Sequence, residues 1–139
     1  MQVALVYDSA GPKPLEGVRI LTVDDEPDGL EALSLILRLL GAEVETASST
    51  AWAMSKLQGF QPNVLIADLQ MPGQDGFALI AQLRARPIEE GGRIPAVAFS
   101  AHDSPETRAK AFHAGFQEFL SKPTSISQIL SALQGMIAN

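Results

Sequence analysis

The chain has 139 residues, 46% of them hydrophobic and 19% charged, a formal net charge of −6, a sequence pI near 4.8 and no cysteine. That is the size and composition of one soluble globular domain with a real core. It excludes a disulfide framework and a thiolate metal site, and an acidic chain without clustered Lys and Arg is not expected to bind nucleic acid. No apolar run approaches the ~18 residues of a membrane span, and no basic segment followed by an apolar one opens the chain, so a cytoplasmic location without membrane contact is expected.

In chain order, residues 1–16 are expected to form a linker or arm. Gln2-Val3-Ala4-Leu5-Val6-Tyr7 has strand character, but Asp8-Ser9-Ala10-Gly11-Pro12-Lys13-Pro14 follows at once and is turn chemistry. The apolar half would pack on a sheet edge, on a second copy or on an upstream domain. From Val18 onward short apolar runs alternate with helical periods. Val18 to Val23 predicts a first strand, ending in Asp24-Asp25-Glu26. Leu30, Leu33, Ile36, Leu37 and Leu40 then repeat at three and four, an amphipathic helix stopped by Gly41. Glu43 to Ala47 alternates as a half-exposed second strand does, and Ser48 or Ser49 caps a helix through Ala51, Met54 and Leu57.

Val64-Leu65-Ile66-Ala67 predicts a third strand, buried on both faces, which delivers Asp68 and stops at Met71-Pro72-Gly73. A third helix carries Phe77, Ile80 and Leu83, and Glu89 to Arg93 reads as a flexible surface loop. Ala96 to Phe99 is the fourth strand. It opens into Ser100-Ala101-His102-Asp103-Ser104-Pro105, where Ser104 and Pro105 start the fourth helix. In that helix Ala109 and Phe112, with Phe116 just beyond it, are expected mainly in the core. Glu118-Phe119-Leu120 is a short fifth strand, Lys122-Pro123 breaks the chain, and Ile126, Ile129, Leu130, Leu133 and Ile137 form a last amphipathic helix. Five β-α repeats predict an α/β domain: a doubly wound, five-stranded parallel sheet with helices on both faces.

On that sheet Asp24, Asp25, Asp68, Ser100 and Lys122 all follow strand ends and share the carboxyl edge, where ligands bind in open α/β sheets. Three clustered carboxylates repel one another unless a cation neutralises them, and an all-oxygen site favours Mg²⁺, or Mn²⁺, over zinc. A lysine on the same rim offers a point charge to an anion and a serine hydroxyl offers a donor. Acids for a metal, a cation for an anion and one hydroxyl describe a phosphoryl site. His102 and His113 are expected as exposed residues rather than ligands, because no second imidazole lies at ligand spacing.

These residues resemble a response-regulator receiver domain, the phospho-acceptor module of two-component signalling. The resemblance rests on Asp24-Asp25-Glu26 after strand one, Asp68 with Met71-Pro72 and Gly76 after strand three, Ser100-Ala101 after strand four and Lys122-Pro123 after strand five. It covers residues 17–139 as the receiver domain, and among such domains those attached to hybrid histidine kinases are the most similar. It implies a flavodoxin-like strand order 2-1-3-4-5. It also implies that Asp68 is the phosphate acceptor and that Asp25, Asp68 and the backbone carbonyl of Gln70 hold Mg²⁺, with Asp24 acting through water. Ser100 would bond the phosphoryl group, Lys122 would pair with it, and Ser100 with Phe119 would form the switch. Phe119 stands where the family more often has tyrosine. The implied partners are a histidine kinase or histidine phosphotransferase, and an output protein or domain on the face of the fourth helix, fifth strand and fifth helix. The chain would be no conventional enzyme, catalysing only its own phosphorylation and dephosphorylation. Two other readings are an inactive receiver kept for protein interaction, and an aspartyl-phosphate hydrolase. The hydrolase would want an acid two residues after Asp68, where Gln70 stands.

Overall fold

The computed structural model describes residues 12–137; the apolar half of the expected arm lies outside them. Five parallel strands form one sheet in the order β2-β1-β3-β4-β5. They are β1 (Arg19–Val23), β2 (Glu43–Ala47), β3 (Val64–Asp68), β4 (Ala96–Ser100) and β5 (Glu118–Ser121). Between and after them run α1 (Pro27–Leu39), α2 (Thr50–Phe60), α3 (Gly76–Arg84), α4 (Pro105–Ala114) and α5 (Ile126–Ile137). The doubly wound sheet expected from the sequence, in the order 2-1-3-4-5, is what the chain forms.

Side chains alternate across each strand, so consecutive residues feed two separate cores. Ile20, Val64, Ile66 and Val97 face α1 and α5, packing with Leu33, Leu37, Ile129 and Leu133. Leu21, Leu65, Ala67 and Ala98 face the other side, against Leu57, Leu79, Ile80, Leu83 and Ala111 of α2, α3 and α4. Helices on both faces explain why β3 is apolar at every position up to its terminal aspartate, all five residues being buried. Most helix starts are capped as their sequences dictate. Ser49, Asp75 and Ser104 each accept a backbone N–H of the first turn, and Glu26 does the same for α1, accepting from Gly29 at 2.9 Å.

Three local features differ from the sequence reading. Leu15, assigned to the arm, is fully buried in the α1–α5 core, and its N–H donates to the carbonyl of Leu40 at 2.8 Å. The stretch read as a flexible loop, Glu89 to Arg93, begins inside a 3-10 turn, Ile88–Glu90, and continues as hydrogen-bonded turn. Its partner is Arg84, whose guanidinium donates to the carbonyls of Gly92 (3.1 Å), Ile94 (2.8 Å) and Gly115 (2.8 Å). One cation thereby satisfies three loop carbonyls, which fixes a segment whose composition alone reads as solvated. Finally, α4 turns Ala111 inward and leaves Ala109 exposed and Phe112 45% exposed; of the three residues expected in the core there, only Phe116 is buried.

Candidate functional site

β1 and β3 lie side by side, with Val23 opposite Ala67, so the residues that follow them meet at the carboxyl edge. Asp24 is held by its own backbone, its N–H donating to the carbonyl of Ala47 at 3.1 Å, and its Oδ1 accepts the N–H of Glu26 at 3.0 Å. Asp68 ends β3, and its Oδ1 accepts the N–H of Gln70 at 3.2 Å. Carboxylate oxygens of Asp24, Asp25 and Asp68 all lie within 4.8 Å of one another. Asp24 and Asp68 are buried, while Asp25 is exposed and opens the cluster to solvent. Gln70 and His102, which follow Asp68 and Ser100 by two residues, are exposed; His113 is also exposed, in the last turn of α4 and away from this edge.

Lys122, directly after β5, reaches across the edge. Its Nζ donates to Asp24 Oδ2 at 2.7 Å and stands 3.7 Å from Asp68 Oδ2. One cation among three carboxylates leaves the cluster negative. Burial, the largest influence, together with the charge of Asp24, pushes the Asp68 carboxyl from 3.8 up to about 6, against the opposing pull of the Gln70 N–H and Lys122. An all-oxygen donor set with surplus negative charge fits a hard divalent cation.

Ser100 ends β4 and is completely buried. Its Oγ accepts the N–H of His102 at 3.0 Å, which leaves the hydroxyl proton free to donate elsewhere. Its carbonyl accepts the Lys122 N–H at 2.8 Å, so the serine and the lysine are locked to each other through the backbone. Phe119 lies in β5 with its ring buried in the α2–α3–α4 core. The structure therefore gathers Asp24, Asp25, Asp68, Ser100 and Lys122 on one edge and sets Phe119 behind it.

Two further residues shape the site, Gly76, which the resemblance includes, and Thr50, which carried no sequence signal. Gly76 packs so close to the β3 end that a Cβ there would meet the Asp68 carbonyl oxygen at 2.3 Å. Thr50, at the start of α2, donates its hydroxyl to the Gln74 carbonyl at 2.9 Å and so ties down the loop after Asp68 across 24 residues of sequence. Beside the acids, a cleft of about 330 Å³ opens between α1 and α5, walled by Leu33, Ile36, Phe99 and Ile129 and edged by Asp24 and Lys122.

A parallel sheet in this order, carrying an acid trio, a hydroxyl and a lysine on its carboxyl edge, is the arrangement of a receiver domain. The sequence pattern of the response regulator receiver domain matches residues 20–134, and the chain belongs to that family. It is 36% identical over 115 residues to an uncharacterized 14.6 kDa protein of Leptolyngbya boryana, covering 83% of this chain and 86% of that one. It is 31% identical over 119 residues to the transcriptional regulatory protein PrrA of Mycobacterium tuberculosis, matching 86% of this chain but only 49% of PrrA. The chain thus spans about half the length of that regulator.

Among solved structures, the chemotaxis protein CheY4 of Vibrio cholerae superposes with a TM-score of 0.80 at 28% identity, covering 86% of this chain and 98% of CheY4. The receiver domain of the sensor histidine kinase PA1611 of Pseudomonas aeruginosa gives a TM-score of 0.80 at 27% identity over 88% of this chain and 99% of that domain. That structure has a magnesium ion coordinated in its active-site cleft.

Proposed function

We propose that this receiver domain accepts a phosphoryl group on Asp68 from the phosphohistidine of a histidine kinase or histidine phosphotransferase in the cytoplasm, and passes the signal through its α4–β5–α5 face. The observation that carries the reading is the Asp68 carboxylate itself, a buried acceptor at a strand end that shares one lysine with a second buried acid.

In the transfer, an Asp68 oxygen attacks phosphorus, the phosphorus–nitrogen bond breaks, the imidazole leaves and an acyl phosphate forms. Phosphoryl transfer is mainly charge redistribution, so the domain has to position the acceptor and neutralise oxygens rather than do covalent chemistry of its own. Asp25, Asp68 and the Gln70 carbonyl would hold Mg²⁺, with Asp24 beside them. The ion would neutralise charge on the transferring oxygens. Lys122 already stands 3.7 Å from the acceptor and supplies the cation. Ser100, oriented by the His102 N–H, donates to the bound group. The apolar cleft between α1 and α5 adjoins these groups and suits the side chains flanking a donor histidine.

Once formed, the near-dianion draws the Ser100 hydroxyl and biases the surface made by α4, β5 and α5, where Phe112 is exposed for a partner. Incubation with a small acyl phosphate and Mg²⁺ tests the reading by mass spectrometry: one phosphoryl group is expected on the wild type and none on Asp68→Asn. A variant labelled as fully and as fast as the wild type would show that Asp68 is not the acceptor.

A further inference from the structure

Next to the acceptor site, but outside it, three polar side chains from three different segments close on one another. Asp103, in the loop from β4 to α4, is gripped by Arg108 of α4 through two bonds, Nε to Oδ1 at 2.7 Å and Nη2 to Oδ2 at 3.1 Å. The same carboxylate accepts the hydroxyl of Ser121, the last residue of β5. The Arg108 guanidinium then lies over the Phe119 ring, 4.7 Å from its centre. Both ends of this clasp adjoin the site. Asp103 follows Ser100 by three residues, and Ser121 precedes Lys122, whose N–H is bonded to the Ser100 carbonyl.

Phe119 has no hydroxyl, so it has no hydrogen bond with which to sense Ser100. Its ring does have a face, and a guanidinium stacked on that face is attracted to it. Because the fork on Asp103 is bidentate, it fixes direction as well as distance. A loop carrying Ser100 and Ala101 toward a phosphoryl group would therefore either pull Asp103 off Arg108 or drag α4 along, and either event changes what covers Phe119. We propose that the Asp103–Arg108–Ser121 clasp is the element that couples the acceptor site to the α4–β5 surface in this chain, with Arg108 as the positioning residue for Phe119. This inference rests on the acceptor reading above. The hydrogen bonds from Arg108 and Ser121 also hold the Asp103 carboxyl below its ordinary range.

The probe is beryllofluoride with Mg²⁺, a stand-in for a phosphoryl group on a carboxylate, applied to protein carrying fluorophenylalanine, with the Phe119 resonance assigned through Phe119→Leu. In the wild type, loading is expected to shift that resonance. In Asp103→Ala and in Arg108→Gln the shift on loading is expected to be lost, while beryllofluoride binds at least as tightly, since loading no longer has to rearrange α4 and coupling is reciprocal. An Arg–Asp pair that merely braced the surface would lower the melting temperature and leave the shift intact. A variant that keeps the wild-type shift overturns the clasp. Weaker beryllofluoride binding in the variants also overturns it, by showing that these residues hold Ser100 and Lys122 in place instead. Arg108→Gln alters only a partly exposed side chain and decides the matter if Asp103→Ala does not fold. A wild type that takes up no beryllofluoride overturns the acceptor reading, and this one with it.

Discussion

Asp68 is expected to weaken the fold in the absence of metal, and replacing it with asparagine is expected to strengthen it. The carboxyl titrates at about 6 in the folded chain instead of 3.8. The folded state thus holds this proton more tightly than the unfolded state does, and the group's contribution to stability is full below pH 3.8 and lost as pH rises through about 6. Above that the ionised group is a net cost. A difference of about two pH units corresponds to at most about 3 kcal/mol. Asp68 keeps 11% of its side-chain surface in water, and screening there reduces the expectation to about 1–2 kcal/mol. Asparagine keeps an oxygen for the Gln70 N–H while removing the charge that faces Asp24. Urea denaturation in EDTA should therefore place Asp68→Asn about 1–2 kcal/mol above the wild type at pH 7.5, with the gap closing at pH 4.5. In millimolar Mg²⁺ the wild type should recover while the variant gains much less. An asparagine variant less stable than the wild type at pH 7.5 without metal would refute the reasoning, because the Lys122 attraction would then outweigh burial and the Asp24 charge.

A ligand that binds only the folded chain raises its melting temperature by mass action; Asp25→Ala is expected to abolish the Mg²⁺-dependent rise in a thermal melt while leaving the metal-free melting temperature close to that of the wild type, since Asp25 is exposed. Gly76→Ala is expected to cost about 2–4 kcal/mol in the same urea assay and to slow labelling by acyl phosphate, because the new Cβ would meet a backbone oxygen at 2.3 Å and the end of β3 would have to shift.

The sheet and the edge that carries the site were legible because both follow from local rules. Short apolar runs between breakers, alternating with helical periods, read as strands covered on both faces, and Glu43 to Ala47 alternates as a half-exposed edge strand does. Once five such strands are parallel, the residues that follow them share an edge whatever their identity. Asp24, Asp68, Ser100 and Lys122 needed nothing more. What was not legible depends on contacts between distant polar residues, which leave no period in the sequence. Arg84 sits in the last turn of α3, where a cation suits the helix dipole and reads as solvated, yet its guanidinium reaches Gly115, 31 residues away. The exposed Phe112 follows from the same cause. Helix α4 has little amphipathic contrast, so its rotation is set by what grips it, and one of those grips is Arg108 on Asp103.

Lys122 shows where such local rules stop. Its place on the edge follows from β5 ending beside Ser100, but its pairing does not: the ammonium stands closer to Asp24 than to Asp68, 2.7 against 3.7 Å. Burial, and after it the neighbouring Asp24, raise the affinity of Asp68 for a proton against the pull of the Gln70 N–H and Lys122. A phosphoryl group on Asp68 would reverse the pairing, because that residue would then carry the larger and more exposed negative charge. The resting pairing with Asp24 thus keeps the cation within one short displacement of Asp68.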